Sequence, residues 1–188
     1  MLAFTIILLI VSMALLEIIQ YPDVRLSVPG SPVDGVDDTV KRLITDMFET
    51  HYDQQNCAAL AATQLDTGRY QGLAPPRITV IDFSEKKDTP LCLVNPVIVD
   101  RQGETFEPEG CMSVYAVQAK VRRAEKITVN YLDESGVAQQ LQADGFLAKC
   151  IQHEMDHLDG VLFLDRLPKL KQKLIRKKLL KRFVQGGG

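Results

Sequence analysis

The first amphipathic pattern in the chain lies between residues 40 and 48. Five apolar residues, from Val40 to Phe48, follow the i, i+3, i+4, i+7 spacing of one helix face. Asp37 or Asp38 stands just before them, where an aspartate side chain can cap the first turn. The pattern predicts a helix that ends before the small and polar stretch 50–64.

A second helix is predicted from Asp144, a candidate N-cap, to about Leu158, with Gly160 placed to end it. Residues of interest occupy two sides of this helix. One side carries Leu147, Ile151, Met155 and Leu158, and the other carries Phe146, Cys150, His153 and His157. A helix lined on two sides is expected to be central and largely buried.

Short β-patterns fill most of the remaining chain. Residues 78–83 and 91–95 form apolar runs, and residues 127–131 alternate between apolar and polar. A turn at 133–136 leads into 137–141 and predicts a hairpin. Because strands and helices do not alternate regularly, the predicted class is α+β: antiparallel sheets around a central buried helix, plus a C-terminal amphipathic helix.

Composition places the chain among ordinary folded proteins of about one domain. It has 188 residues, of which 46% are hydrophobic and 24% charged. These values exclude a disordered tail, a collagen-like fibre and a coiled coil. Four cysteines are too few for a disulfide scaffold, so they are interpreted as reduced thiols of an intracellular, cytoplasmic protein.

Charge is distributed unevenly along the chain. Eight of the 22 basic residues lie from Lys169 onward with no acidic residue among them, which leaves 14 basic against 24 acidic residues before it. Apolar residues from Leu170 to Phe183 recur at helical spacing within this tail. The tail is therefore predicted to be an amphipathic helix that lies on a membrane, on RNA or on the protein's own body, or that simply has a solvated basic face.

Residues 1–12 form an N-terminal extension of doubtful status. The first sixteen residues carry no charge, yet they are short for a membrane span and lack the basic start of a signal peptide. A second methionine, Met13, opens a stretch that resembles a complete start. An upstream extension or a wrongly chosen start is favoured over an export signal or a packed element. The three glycines from Gly186 are expected to be a frayed end.

Residues 153–157 form an HExxH motif. His153 and His157 lie four residues apart, so both imidazoles project from one helix face and can hold the same ion. Glu154 between them is placed to act as general base toward a water molecule. The alternative is a pair of core histidines, but two of only three histidines in the chain occur here. The motif therefore favours a metal site.

The motif itself does not supply the third ligand. In one extended protease pattern the third ligand is a histidine at position 163, but this chain has Phe163 there. In another pattern the third ligand is a downstream glutamate, but no glutamate follows Glu154. Both protease interpretations thus lose a ligand. The remaining candidates are a cysteine, an aspartate or His51.

The segment Glu109-Gly110-Cys111-Met112-Ser113, followed some forty residues later by QHEMDHLDG, resembles the peptide deformylase family. The family removes the formyl group from nascent polypeptides. The resemblance extends from Met13 to about Phe183 and implies a catalytic domain over 13–168, followed by a basic helix and glycine tail over 169–188.

The resemblance implies the following site. Cys111, His153 and His157 bind one divalent metal, usually Fe²⁺ and alternatively Zn²⁺, Ni²⁺ or Co²⁺. Glu154 transfers the proton, while the Gln64 side chain and the Met112 backbone N–H stabilise the oxyanion. Residues expected to line the substrate pocket are Ala58, Ala59, Glu109, Gly110, Gln118, Phe146, Lys149 and Cys150.

Four positions depart from the family pattern. Cys57 and Ala59 replace two glycines of the first motif, and Gln118 replaces an arginine. Lys149 replaces an aliphatic residue four positions before His153, where it points either into the pocket or along its wall to solvent. An inward lysine would disfavour formyl-methionine and favour a polar or acidic first residue.

The resemblance thus implies an enzyme that acts on N-formylated nascent peptides and docks on the ribosome through its basic C-terminal helix. DNA binding is not expected and membrane binding is disfavoured. Two alternatives stay open because of the departures at Cys57, Ala59, Gln118 and Lys149: a weakly active ribosome-associated relative, and a hydrolase with altered acyl or side-chain specificity.

Overall fold

A computed structural model describes residues 15–70 and 74–186. The extension predicted at 1–12 and the last two glycines lie outside these residues. Three α-helices are present in the described part: α1 Asp38–Asp53, α2 Gly145–Leu158 and α3 Lys169–Gly186. The strands are β1 Ala59–Ala61, β2 Ile78–Ile81, β3 Leu91–Gln102, β4 Thr105–Cys111, β5 Val114–Arg123, β6 Lys126–Leu132 and β7 Ala138–Asp144.

Five of the strands form one antiparallel sheet in the order β1-β2-β3-β6-β7. Both faces of this sheet are covered. Ile78 and Val80 of β2 pack in the cluster that includes the apolar side of α1, whereas Ile81 packs with Ala148 and Ile151 of α2. The result is a three-layer arrangement of α1, sheet and α2, and the mixed fold with antiparallel sheets is as predicted.

Helix α1 begins where the sequence predicts. The Asp37 carboxylate accepts a hydrogen bond of 2.8 Å from the Val40 N–H, which satisfies a free donor of the first turn. The helix runs to Asp53, so the prediction that residues after 50 leave it is wrong by one turn. Thr50 and His51 are both fully buried on α1. Because neither residue is strongly apolar, the hydrophobic pattern did not indicate that the helix continues through them.

Helix α2 has the predicted bounds, with Asp144 just before its first residue and Leu158 as its last, but its first turn is not capped as predicted. The Asp144 side chain makes no capping hydrogen bond, so its predicted capping role is wrong. Instead, Gly145 has a φ of +50° and donates its N–H to the Glu125 carbonyl oxygen at 3.2 Å. Gly160 ends the segment as predicted, with a φ of +70° and no room for a Cβ, which would lie 2.7 Å from the Ser27 carbonyl oxygen.

Strands β4 and β5 form a separate two-stranded sheet that the sequence patterns did not predict. Most side chains of β4 are exposed or half-buried, Phe106 being 52% exposed, so apolar residues do not alternate clearly along it. Cys111 is the last residue of β4 and is brought to α2 by this hairpin.

Helix α3 packs on the rest of the protein through only a few residues, chiefly Gln172, Ile175 and Leu179. The prediction of one apolar side is wrong, because the large apolar residues point in several directions. Exposed apolar residues of α3 are Leu170, Leu174, Leu180, Phe183 and Val184. No helix in the described part of the chain has the length and hydropathy needed to cross a membrane.

Candidate active site

Three side chains with metal-binding atoms meet between α2 and the end of β4. His153 and His157 lie on adjacent turns of α2, with ring centroids 5.0 Å apart. The His157 Nε2 atom lies 3.2 Å from the Cys111 Sγ atom. Potential ligand atoms of all three residues lie within 4.8 Å of one another. The structure therefore brings together the three residues that the resemblance implies.

The chemistry of these three side chains fits one divalent transition-metal ion. Two imidazoles and a thiolate suit Fe²⁺ or Zn²⁺, and three protein ligands leave one coordination position for water or substrate. His153 donates its Nδ1–H to the Glu109 carboxylate at 2.9 Å, which fixes the ring and directs its other nitrogen toward the cluster. Such a carboxylate–histidine pair is typical of metal sites.

The two imidazoles differ in their protonation. Burial lowers the pKa of His157 well below its ordinary value, and the neighbouring His153 lowers it further. Burial also lowers the pKa of His153, but hydrogen bonds with Cys111 and Glu109 outweigh this effect and raise it. His157 is thus held as the neutral imidazole, the form that binds a metal ion.

A buried ion-pair network holds Glu109, the hydrogen-bond partner of His153, in place. Arg123 contacts both Glu109 oxygens, at 2.8 and 3.0 Å, and lies 2.6 Å from an Asp156 oxygen. These three side chains are between 3 and 7% exposed. Burial raises the pKa of Glu109, but the hydrogen bonds from Arg123 and His153 lower it more, to about 2. Glu109 is therefore a permanent anion that orients His153.

Glu154 occupies a contrasting environment. Its side chain is buried, at 3% exposure, and within the described residues its Oε2 atom has no hydrogen-bond partner. Burial raises the pKa of Glu154 to about 7. A carboxyl group with this pKa can both accept and release a proton near neutral pH. Two carboxylates of one site, Glu109 and Glu154, thus have pKa values pushed in opposite directions.

The Gln64 amide lies beside the ligand cluster formed by Cys111, His153 and His157. Its Oε1 accepts a hydrogen bond from the Ala61 N–H at 2.9 Å, and its Nε2 donates to the Ser113 Oγ at 3.1 Å. The same Nε2 lies 3.5 Å from the Cys111 Sγ. These contacts fix the NH₂ end on the side of the cluster. Met112, next to Cys111, lines the same cleft.

The cluster lies in a cleft of about 510 Å³. All eight predicted pocket residues line it: Ala58, Ala59, Glu109, Gly110, Gln118, Phe146, Lys149 and Cys150. Cys57 lines it as well. Burial raises the pKa of both Cys57 and Cys150 to about 12, so these thiols are neutral and poor ligands compared with a thiolate.

The replaced glycines cause no backbone strain. Ala59 lies in the extended strand β1, paired with Ile81. Neither Cys57 nor Ala59 belongs to the non-glycine residues with positive φ, which in the described part are Asn56, Lys87, Asn95 and Ala116. An alanine methyl is therefore compatible with the backbone at position 59.

Lys149 neither reaches freely into the cleft nor extends to solvent. Its Nζ atom lies 2.8 Å from the Glu107 Oε2 and 5.0 Å from the Phe146 ring centroid, along the cleft wall. The lysine side chain is 14% exposed. Gln118 is exposed at the rim, with its Cγ packed over Gly110.

Several residues around the site were missed from the sequence. Asp156 lies inside the HExxH motif. An acidic residue on a helix that is predicted to be buried indicates an ion pair, and this indication was available from the sequence. Ser113 lies two residues after Cys111 in the motif that resembles the family. The sequence did not indicate that its hydroxyl accepts a hydrogen bond from Gln64. Arg123 and Glu107 lie on strands that no pattern predicted, so nothing in the sequence indicated their contacts.

Comparisons with known proteins agree with this geometry. A family model described as polypeptide deformylase matches residues 15–173. The chain is 54% identical to peptide deformylase 1 of Coxiella burnetii over 171 residues, 90% of this chain and 98% of that protein. It is 47% identical to a peptide deformylase of Neisseria meningitidis over 170 residues, 90% of this chain and 97% of that protein.

Solved structures give the same result. A peptide deformylase from Legionella pneumophila superposes with a TM-score of 0.81 at 40% identity, covering 92% of this chain and 98% of that one. A peptide deformylase from Ehrlichia chaffeensis in complex with actinonin gives a TM-score of 0.80 at 37% identity, covering 90% of this chain and 98% of that one. The chain belongs to the polypeptide deformylase family and is an enzyme of this kind, a metal-dependent deformylase.

Proposed function

We propose that Cys111, His153 and His157 hold one divalent ion, and that the site built around it removes the N-formyl group from the first residue of nascent polypeptides. The observation that carries the proposal is the presence, beside this ligand cluster, of a buried Glu154 carboxylate oxygen that has no hydrogen-bond partner among residues 15–70 and 74–186. A metal-binding triad and a proton acceptor on one helix are what amide hydrolysis by water requires.

A bound divalent ion supplies the Lewis acid that polarises the formyl carbonyl and acidifies a water molecule. Glu154 takes a proton from the attacking water, because its raised pKa matches that transfer near neutral pH. The water oxygen bonds to the formyl carbon, the C–N bond of the formamide then breaks, and Glu154 returns its proton to the departing amine, while formic acid leaves and ionises to formate. The products are formate and a free N-terminus.

Negative charge that develops on the formyl oxygen needs hydrogen-bond donors. We assign the Gln64 NH₂ group, which the Ala61 and Ser113 contacts hold toward the cluster, and the backbone N–H of Met112 to this role. Glu109, Arg123 and the pocket residues act on orientation and fit and do not touch the reacting atoms in this scheme.

The identity of the ion follows from the ligand set only as a class. One thiolate and two imidazoles accept Fe²⁺, Zn²⁺, Ni²⁺ or Co²⁺, and we propose Fe²⁺ as the physiological ion. The four cysteines are all free thiols. This supports a reducing compartment, and we propose that the enzyme acts in the cytoplasm, where N-formylated nascent chains are made.

We propose that residues 13–168 form the catalytic domain and that α3 carries it to the ribosome. Seven of the eight basic residues of α3 have no ion pair within the described part of the chain, Arg176 with Asp165 being the exception. Unpaired cations on an exposed helix suit a phosphate backbone. Neither DNA nor a membrane is proposed as a partner.

Ribosome binding is tested by cosedimentation at increasing salt. The full chain should lose binding steeply between 50 and roughly 200 mM salt, since phosphate contacts release counterions. A charge-reversed variant, Lys173→Glu with Lys177→Glu and Lys181→Glu, should bind weakly at all salt concentrations. Equal binding of both proteins would exclude α3 as the contact.

The proposed reaction is tested by formate release from formyl-Met-Ala-Ser at a measured metal content. Protein loaded with one ion per chain should release formate over many turnovers. A protein that binds the ion but releases none would instead be the weakly active relative that the sequence departures left open.

A further inference from the structure

The segment 17–21 lies between the two parts of the chain that supply the proposed oxyanion donors. Its first half pairs with the main chain at Gln64, because the Ile19 N–H donates to the Gln64 carbonyl oxygen at 2.8 Å. Its second half pairs with the turn that follows β4, because the Tyr21 N–H donates to the Ser113 carbonyl oxygen at 2.9 Å. One short segment thus joins the two parts.

Gln20 lies between these two contacts and adds a side-chain hydrogen bond to the same turn. Its Nε2 atom donates to the Met112 carbonyl oxygen at 3.0 Å and lies 3.3 Å from the Ile18 carbonyl oxygen. Two consecutive carbonyl oxygens of the turn, those of residues 112 and 113, are therefore bound by residues 20 and 21.

The two parts also contact each other directly. The Gln64 Nε2 atom donates to the Ser113 Oγ atom at 3.1 Å. Together with the bonds from Ile19 and Tyr21, this contact closes a ring of hydrogen bonds around the start of the turn. Gln20 is the member of the segment 17–21 whose hydrogen bond reaches Met112.

The direction of the Met112 N–H depends on what holds Met112 on either side. Before it, Cys111 pairs with Val114 and belongs to the ligand cluster. After it, the peptide unit that joins Met112 to Ser113 is planar, so a hydrogen bond to its carbonyl oxygen orients the whole plane. The Gln20 bond therefore restricts the backbone dihedral angles of Met112, and these angles set the direction of its N–H.

Gln20 itself is placed outside the chemistry. It is exposed, and it is not among the described residues that line the cleft, whereas Met112 does line it. Its side chain belongs to no buried cluster among residues 15–70 and 74–186. An effect of Gln20 on the reaction must therefore pass through Met112.

We propose that Gln20 is a positioning residue for the deformylase reaction, which holds the Met112 backbone N–H toward the formyl oxygen by binding the Met112 carbonyl oxygen. The inference rests on the proposed function, in which Met112 stabilises the oxyanion, and adds to it a residue from outside the cleft. Because an oxyanion donor acts most strongly when charge develops on the oxygen, loss of its orientation should lower kcat rather than raise KM.

The test replaces Gln20 in two ways. Gln20→Met keeps a long side chain but removes the donor. Gln20→His restores a donor, since the imidazole Nε2 is as many bonds from Cβ as the glutamine Nε2. The matched control is Gln140→Met, because Gln140 is also exposed and donates its Nε2 to the Asn130 Oδ1 at 2.8 Å, but lies on β7 and does not line the cleft.

All variants are compared with wild type on formyl-Met-Ala-Ser at equal metal content. Gln20→Met should lower kcat by about threefold to tenfold, the range that one net hydrogen bond is worth, with KM unchanged. Gln20→His should recover most of this loss, and Gln140→Met should keep the kcat and KM of wild type. In urea unfolding, Gln20→Met should lose no more stability than Gln140→Met, since each variant loses one exposed hydrogen bond.

An unchanged kcat in Gln20→Met would overturn the inference, and so would an equal loss in Gln20→His. A loss of kcat that comes with a lower metal content, or with a larger loss of stability than in Gln140→Met, would show a structural role instead. A rise in KM alone would show a role in substrate binding. In each of these cases wild type still releases formate and the proposed function stands. If metal-loaded wild type releases no formate, the proposed function is wrong and the inference falls with it.

Discussion

Helices α2 and α3 both carry many polar residues, but these residues are mostly buried on α2 and mostly exposed on α3. On α2, Gln152, His153, Glu154, Asp156 and His157 are all buried. On α3, Gln172 is the buried polar residue, and most of the lysines and large apolar residues are exposed.

The difference shows that burial changes the pKa of an ionisable side chain and can thereby make it suitable for proton transfer. Burial raises the pKa of Glu154 to about 7, whereas hydrogen bonds from Arg123 and His153 outweigh burial at Glu109 and lower its pKa to about 2 within the same interior. The cations of α3 remain in water, where single ion pairs contribute little. We therefore expect changes on and around α2 to affect metal binding, catalysis and stability, and changes along the outer part of α3 to affect only binding to partners.

The largest effect is expected at the metal ligands. Cys111→Ala leaves only two histidines, so the purified protein should lose its ion and, with it, all measurable turnover. Metal content is measured by elemental analysis after dialysis. Cys57→Ala is the matched control, since Cys57 lines the same cleft but lies outside the cluster. Full metal occupancy in Cys111→Ala would remove Cys111 from the ligand set.

A large effect on stability is expected at the buried network. Arg123→Met leaves the carboxylates of Glu109 and Asp156 without their shared partner and should lower the free energy of unfolding by about 3–5 kcal/mol. Arg122→Met, on the neighbouring exposed residue that pairs with Glu104, should cost less than about 1 kcal/mol. Urea unfolding of both variants measures the difference. Similar values would mean that the network does not support α2.

A smaller effect is expected from shortening α3. Removal of residues 181–188 should change the free energy of unfolding by less than about 0.5 kcal/mol, because the side chains described there are exposed. Removal from Gln172 onward also removes the buried Leu179 and the Gln172 hydrogen bonds, and should cost about 2–3 kcal/mol.

Both truncated proteins should keep the turnover of the full chain at a temperature where they are folded, since α3 provides no residue of the cleft. Loss of turnover in the 181–188 deletion would show that the outer part of α3 acts on the catalytic domain.

Small effects of opposite sign are expected from two alanines near the cleft. Ala59 lies in extended backbone, so Ala59→Gly should destabilise the protein by roughly 0.5–1 kcal/mol and restore no activity. Ala116 has a φ of +56°, so Ala116→Gly should stabilise it by a similar amount. Thermal unfolding of the two variants should therefore shift in opposite directions. A marked gain in kcat/KM for Ala59→Gly would show that the methyl narrows the substrate groove.

The elements that the sequence predicted share a strong local signal. Helix α1 has a regular apolar face and an aspartate cap, and the β6–β7 hairpin has alternation on both sides of a turn. The β4–β5 hairpin lacks that signal, because its outer residues face water and its inner ones include Glu109. Asp144 precedes α2 as predicted but makes no capping hydrogen bond, and the Gly145 N–H is bonded to the Glu125 carbonyl oxygen, a contact between distant residues that local sequence does not indicate.

The candidate site was predictable where chemistry is tied to a motif. The HExxH spacing indicates a metal, and the segment around Cys111 supplies the third ligand through family resemblance. Contacts between distant strands carry no such signal: the Glu107–Lys149 and Glu109–Arg123 pairs depend on how β4 meets α2 and β5. Partners of this kind became visible only in the folded chain.

The most direct test of the site is one comparison of formate release between wild type and Glu154→Gln, each with its metal content measured. Wild type with one ion per chain should turn over formyl-Met-Ala-Ser. Glu154→Gln should retain the ion and lose about two to four orders of magnitude in kcat, because the proton acceptor is gone while the ligands remain. Loss of the ion in Glu154→Gln, or unchanged turnover, would contradict the role assigned to Glu154.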